Sequence, residues 1–302
     1  MSQAIVSNLF ESFDSDVYID KLERNIERVN NRLNDYIKDT NEENIHDIRT
    51  AIRRLEASYR SLPSRKIRRN KTIREFVKCS KDLFSINSEI RDCDIIIEKL
   101  SKEGQISQQD IQKSFKRSLL DRRKSKLDEA ISLALKLRML SVPRLNKINI
   151  SQKRLKKRFD KVIRRFASRI EENFPLVITN IEKITELHEM RKDCKKLRYL
   201  LELLPEKNTK NNRSEEEVDY ILKLVEKLEK VQGMLGMIHD YDTTLAFLRR
   251  VNGRRNRRPA IQKTIEKITQ VRQSKYEQFV EFLKVDLSSD SNNFFISVMN
   301  IA

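Results

Sequence analysis

Two segments, HDIRTAIRRLEASYRSLP from His46 and HEMRKDCKKLRYLLELLP from His188, place imidazole and cationic side chains at the same spacing. In each, a cation follows the His by three residues, two adjacent cations by seven and eight, and a Pro by seventeen. The residues are His46, Arg49, Arg53, Arg54 and Pro63 in one and His188, Arg191, Lys195, Lys196 and Pro205 in the other, an offset of 142 throughout. On a helix of about 3.6 residues per turn, positions 0, +3 and +7 share a face and +8 lies about a quarter-turn away. Each like-charged pair at that spacing destabilises a helix by a few tenths of a kcal/mol, which a polyvalent anion lying opposite would offset. Arg presents forked donors to phosphate oxygens and Lys a point charge. A solvated basic face is the bland alternative, and duplication at fixed spacing argues against it.

Other chemistries fit less well. The four glycines, Gly104, Gly233, Gly236 and Gly253, form neither GxxxxGK[ST] nor GxGxxG, so a bound phosphate must be held by side chains. The doublets His46-Asp47 and His239-Asp240 suggest an HD-like, metal-dependent phosphohydrolase, but three His in the chain are too few to complete a metal centre. No Ser-His or Cys-His nucleophile is indicated, so no catalytic residue, metal or cofactor is expected. The net charge of +18 points to an anionic partner. Nucleic acid is the main rival ligand, expected to bind at least weakly and non-specifically at low salt. Against it, there is no Trp, aromatics are 7%, and no base-stacking motif stands out. A scaffold that docks an acidic protein is the third reading.

The elements that must carry these groups read as helices. Val17, Leu22, Ile26, Val29, Leu33 and Ile37 recur at three- and four-residue steps and predict a helix over 17–38. Asn44 is the expected N-cap of the His46 helix and Pro63 its end. The next helix, closed by Gly104, aligns with one closed by Gly253: Arg91, Asp92 and Asp94 match His239, Asp240 and Asp242 at an offset of 148. Ser85 and Ser88 match Gly233 and Gly236, and these small residues predict close helix approach. In a third helix, Arg123 and Lys126 match Arg272 and Lys275 at 149. The rise in offset from 142 places an inserted polar loop after Pro205. A strongly basic helix over about 152–173 bridges the halves.

The expected architecture is all-α: two pseudo-repeated antiparallel bundles packed together. The expected organisation is one domain over 1–302: an N-terminal extension and helix (1–44), a first repeat (45–175), a second (176–285) and a tail (286–302). Residues 1–44 carry five Lys/Arg against ten Asp/Glu, so the basic charge belongs to the repeats. Cys79, Cys93 and Cys194 lack metal or disulfide spacing and read as buried thiols. No stretch approaches about 20 uncharged residues, and the N-terminus lacks a basic signal region. The expectation is a cytoplasmic protein with no membrane partner.

With these motifs in view, the chain resembles the conserved histidine α-helical domain (CHAD) family over about residues 17–285. The segment LHEMRKDCKKLRYLLELL, including Arg198 and Tyr199, is similar to a nearly complete family motif, and IRDCDIIIEKL and LGMIHDYDTTLAFL to its second-helix motif. The resemblance implies two four-helix bundles enclosing a basic cleft or pore that binds inorganic polyphosphate. It further implies that His46, Arg49, Arg53, Arg54, Arg91, His188, Arg191, Lys195, Lys196 and Arg198 contact phosphate, with Arg123, Lys126, Arg272 and Lys275 completing the wall. His46 and His188 either donate to phosphate when protonated or hold a helix contact. Glu56 and Ala57 stand where the second copy has Arg198 and Tyr199, which implies weaker phosphate binding by the first half. No ExExK strand motif of a fused triphosphatase is present, so the resemblance is to a stand-alone CHAD protein, binding without hydrolysis and associated with polyphosphate granules.

Overall fold

The structure is a computed structural model and describes residues 14–63, 70–102, 109–141, 143–145, 150–204, 215–254, 259–288, 298 and 301. The described residues form eight helices and no strand: α1 (Ser15–Lys38), α2 (Glu42–Arg60), α3 (Lys71–Lys102), α4 (Gln109–Met139), α5 (Gln152–Thr179), α6 (Ile184–Leu201), α7 (Glu215–Arg254) and α8 (Pro259–Ser288). The expected cap at Gly104, the loop after Pro205 and most of the tail lie outside the described residues.

Local chemistry sets the helix limits. The Asp14 carboxylate caps α1, accepting from the backbone N–H groups of Asp16 (2.9 Å) and Val17 (3.2 Å). In α2 the N-cap is Asn41, which accepts from Asn44 N–H at 2.8 Å, so the expected cap at Asn44 falls inside the first turn. Placing the start at Asn41 brings Glu42 and Glu43 into that turn, where they favour the helix dipole. α5 runs beyond its expected end and contains Pro175. The ladder bond lost there is offset by burial of Phe174 and Val177, each a side chain worth about 1.5–3 kcal/mol when fully buried. The expected repeat boundary at 175 therefore falls within a helix. α7 likewise continues through Gly253, which does not terminate it.

The same pairings occur in both sets of four helices. α1 packs on α2 as α5 does on α6, α2 on α3 as α6 on α7, and α3 on α4 as α7 on α8. Across the sets, α2 meets α6 and α3 meets α7. The apolar interior is not divided by set. One cluster joins Tyr18, Leu22, Leu55 and Phe76 to Phe159, Leu197, Leu228 and Phe279. A smaller one joins Cys93, Ile96 and Phe115 to Tyr241, Leu245 and Ile265. Each half thus supplies side chains to both cores, which fixes α2 against α6. All three cysteines are free and buried. No helix among the described residues is long and apolar enough to cross a membrane.

Candidate functional site

Where α2 and α6 face each other beside α3 and α7, the chain leaves a cleft of about 1000 Å³. Helix α2 contributes His46, Arg49, Arg53, Arg54 and Glu56, and α6 contributes Arg191, Lys192, Lys195, Lys196, Arg198 and Tyr199. The floor and ends include Phe84, Arg91 and Asp92 of α3 and Gln232, His239 and Asp240 of α7. Ten Arg and Lys line the cleft against six carboxylates, so it is cationic overall.

The outer cations are neutralised by the protein itself. Arg54 Nε lies 3.1 Å from Glu202, Lys196 Nζ 3.1 Å from Asp193, Arg60 2.6 Å from Glu56 and Arg91 3.8 Å from Glu42. Arg198 pairs with Glu229 and sits 3.7 Å from Glu202. This alters the comparison expected at Glu56 and Arg198, because each is compensated locally. Burial raises the Glu56 carboxyl, but Arg60, Lys81 and Lys196 outweigh that and hold it below the usual range.

The inner cations differ. Arg49, Arg53, Arg191 and Lys195 have no carboxylate within ion-pair distance among the described residues. Arg49 is 9% exposed, and its Nη1, like Arg191 Nε, is buried without a hydrogen-bond partner. The guanidinium groups of Arg49 and Arg53 lie over the Phe84 ring, 5.1 and 5.0 Å from its centre, which orients them without neutralising them. Desolvation, then repulsion from Arg53, Arg191 and Arg49, pushes the Lys195 ammonium down to about 5. Desolvation and the neighbouring Arg53 bring Arg191 to about 10, and desolvation with Arg53 brings Arg49 to about 9. Burial raises Asp92 and Asp240 above the usual carboxylate range, even though nearby arginines pull them down. The protein's own carboxylates thus leave this cluster undercompensated.

The two motif histidines separate. His46 lines the cleft with a side chain 74% exposed, 3.4 Å from Asp47. His188 is set back from the cleft wall, with Nε2 3.0 Å from both Asp242 Oδ2 and His239 Nδ1. His239 takes the wall position instead, and desolvation followed by repulsion from Arg191, His188 and Lys195 lowers it to about 3, which keeps it neutral.

Four cations expected to complete the wall do not reach it. Arg123 Nε donates to Asp94 at 2.7 Å, and Arg272 Nε donates to Asp242 at 2.9 Å. The residues matched at offsets 148 and 149 therefore meet as equivalent pairs, tying α3 to α4 and α7 to α8. Lys126 sits 3.0 Å from Glu129 and 3.5 Å from Glu89, and Lys275 donates to Gln278 at 3.2 Å. The small-residue expectation also changes. A Cβ on Gly233 would meet nothing within 4 Å, and one on Gly236 would meet only the Arg191 guanidinium, at 3.7 Å from Nε. Neither marks a close backbone approach.

Sequence reasoning missed Arg60, Lys192 and Gln232, and singled out His239 only as part of an HD doublet and as the match of Arg91, yet all four are on the wall. Arg60 stands fourteen residues after His46 and Lys192 four after His188, spacings that return to the motif face and could have found them. Gln232 carried no charge pattern to separate it from a helix interior.

No curated protein sequence matches the chain. Among solved structures, it is similar to the crystal structure of the CHAD domain from the plant Ricinus communis, with a TM-score of 0.59, 13% identity, and coverage of 94% of this chain and 91% of that one. The likeness is one of fold. The CHAD domain family itself matches residues 20–249, a span that holds every residue lining the cleft. With that match spanning both motif helices and both second helices, the chain belongs to the CHAD family.

Proposed function

We propose that the cleft binds inorganic polyphosphate and does not hydrolyse it. The observation that carries this reading is the inner cluster: Arg49, Arg53, Arg191 and Lys195 converge from two helices, with Arg49 Nη1 and Arg191 Nε buried and unpartnered. A buried charged donor without an acceptor is costly, and a phosphate oxygen would remove that cost. A linear polyanion suits the arrangement better than a compact metabolite, because the cations are distributed along facing helices. Membership of the CHAD family, whose domains are linked to polyphosphate binding, supports the same ligand.

The test is thermal unfolding of the purified chain with long-chain polyphosphate, orthophosphate and duplex DNA at matched phosphate concentration. Polyphosphate at about 100 times its dissociation constant adds about 2.7 kcal/mol to the folded state, while orthophosphate gives no comparable shift. Equal stabilisation by orthophosphate, or none by either, removes the reading, and preference for DNA replaces it with nucleic-acid binding. Phosphate release with Mg²⁺ or Mn²⁺ that disappears in Asp240→Ala would make the protein a phosphohydrolase.

A further inference from the structure

Helix α5 carries more cations than its packing uses. Its buried side holds Leu155, Phe159, Val162, Ile163, Phe166 and Ile170, while Arg154, Lys157, Lys161 and Arg165 project from the opposite side and are exposed. Among the described residues, none of these four has a carboxylate partner. The acid that interrupts the run, Asp160, is held 2.7 Å from Arg164 and does not neutralise them. Spacings of three and four residues make the four cations neighbours on one surface, where they repel. Twelve residues of helix, from 154 to 165, span on the order of 16 Å.

This surface also joins the cleft. Arg158, one turn from Arg154 and Lys161, donates through Nε to the carbonyl of Arg60 at 3.2 Å, and Arg60 lines the cleft. The α5 surface therefore borders the cleft at Arg60, whose own side chain is paired with Glu56. We propose that the exposed face of α5 is a second anion-binding site, which takes the part of a linear polyphosphate chain that emerges from the cleft. A chain long enough to engage both sites gains from the high local concentration that the first contact imposes on the second. A short chain occupies the cleft alone. This proposal rests on polyphosphate binding in the cleft.

The test compares tripolyphosphate with long-chain polyphosphate on the full chain. In the triple variant Arg154→Gln, Lys157→Gln, Lys161→Gln, tripolyphosphate affinity stays unchanged and long-chain affinity falls tenfold or more. Its log–log salt dependence becomes shallower by on the order of 2–3, as expected when three phosphate contacts are lost. A control removing the same charge from exposed positions of α8, Lys263→Gln, Lys267→Gln, Lys284→Gln, leaves the long-chain preference intact. Equal losses in the two triple variants overturn the proposal, because the effect is then one of net charge. Unchanged long-chain binding in the α5 variant overturns it directly, as does loss of duplex-DNA binding with polyphosphate binding intact. Failure of the cleft reading looks different: Arg191→Glu with Lys195→Glu then leaves tripolyphosphate binding untouched. All substituted α5 side chains are exposed, so the melting temperature without ligand checks that the fold is retained.

Discussion

The two motif helices share the spacing of their His, cations and Pro as sequences and are unequal as structures. Arg49 and Arg191, equivalent at an offset of 142, both enter the cleft with an unpartnered nitrogen. The histidines three residues earlier do not correspond: His46 is exposed at the rim, while His188 is locked against Asp242 and His239. The second-helix residues explain the divergence. The position of His239 is Arg91 in the first half, and Arg91 turns towards Glu42. Among the described residues, a polar chain of His239, His188, Asp242 and Arg272 therefore exists only in the second half. Burial raises the Asp242 carboxyl, but His188 and Arg272 outweigh it and hold it low. A duplicated motif thus keeps its central cations in the same role, while its flanking residues take roles set by their neighbours.

The strongest way to break this comparison is charge reversal in each half. Arg49→Glu with Arg53→Glu, and Arg191→Glu with Lys195→Glu, should each remove two charged contacts worth about 1.5–3 kcal/mol apiece. Polyphosphate affinity measured by titration should fall at least a hundredfold in both. Because Arg198 is tied to Glu229 and Glu202, and Glu56 to Arg60 and Lys81, the losses should be similar. A far greater loss in the second half would restore the asymmetry that Glu56 and Arg198 suggest in the sequence.

Stability should differ between the equivalent ion pairs. The Arg272–Asp242 side chains are each 6% exposed, whereas Arg123 opposite Asp94 is 22% exposed. Asp242→Ala leaves a buried charge and should cost about 3–5 kcal/mol. Asp94→Ala should cost about 1 kcal/mol or less, because water reaches Arg123. Urea unfolding midpoints decide this, and equal costs would show that burial does not separate the pairs.

A pH dependence should come from Lys195 of the second half, with no counterpart at Arg53 of the first. Lys195, at about 5 before an anion is bound, must gain a proton to pair with phosphate, so binding takes up a proton and affinity falls by up to tenfold per pH unit above about 5. The equivalent residue is Arg53, which stays charged. Lys195→Arg should retain binding and flatten the profile between pH 6 and 8 that calorimetry in buffers of different ionisation enthalpy reads as proton uptake. The sign for folding follows from the same shift. The unfolded chain holds the Lys195 proton that the folded, ligand-free protein releases above about 5, so this group makes the protein more stable as pH rises. Asp92, Asp240 and His239 face the same cluster, and His239, at about 3, does not titrate in this window.

The smallest contrast lies in the histidines. His188→Ala removes a hydrogen bond to a buried carboxylate and should cost about 1–3 kcal/mol, whereas His46→Ala, at an exposed rim position, should change stability by no more than about 0.5 kcal/mol. Equal effects on the unfolding midpoint would contradict their different burial.

The sequence by itself determined the helices and the spacing of the motif cations along two of them. Apolar steps of three and four residues, as in Leu22, Ile26, Val29 and Leu33, specify one buried stripe per helix, and the stripe leaves the motif cations on a face that must go elsewhere. Helix ends were less legible, because Asn41 and Asn44 are both competent caps and only the surrounding backbone selects one. What the tertiary structure alone decided is which cations remain uncompensated. Arg123 and Arg272 match the motif logic as well as Arg49 does, yet carboxylates on the neighbouring helix neutralise them. Periodicity fixes the direction of a side chain from its own helix and says nothing of the charge opposite. That charge depends on how α2, α3, α6 and α7 come together, and their packing makes Arg49, Arg53, Arg191 and Lys195 the cluster the protein does not satisfy by itself.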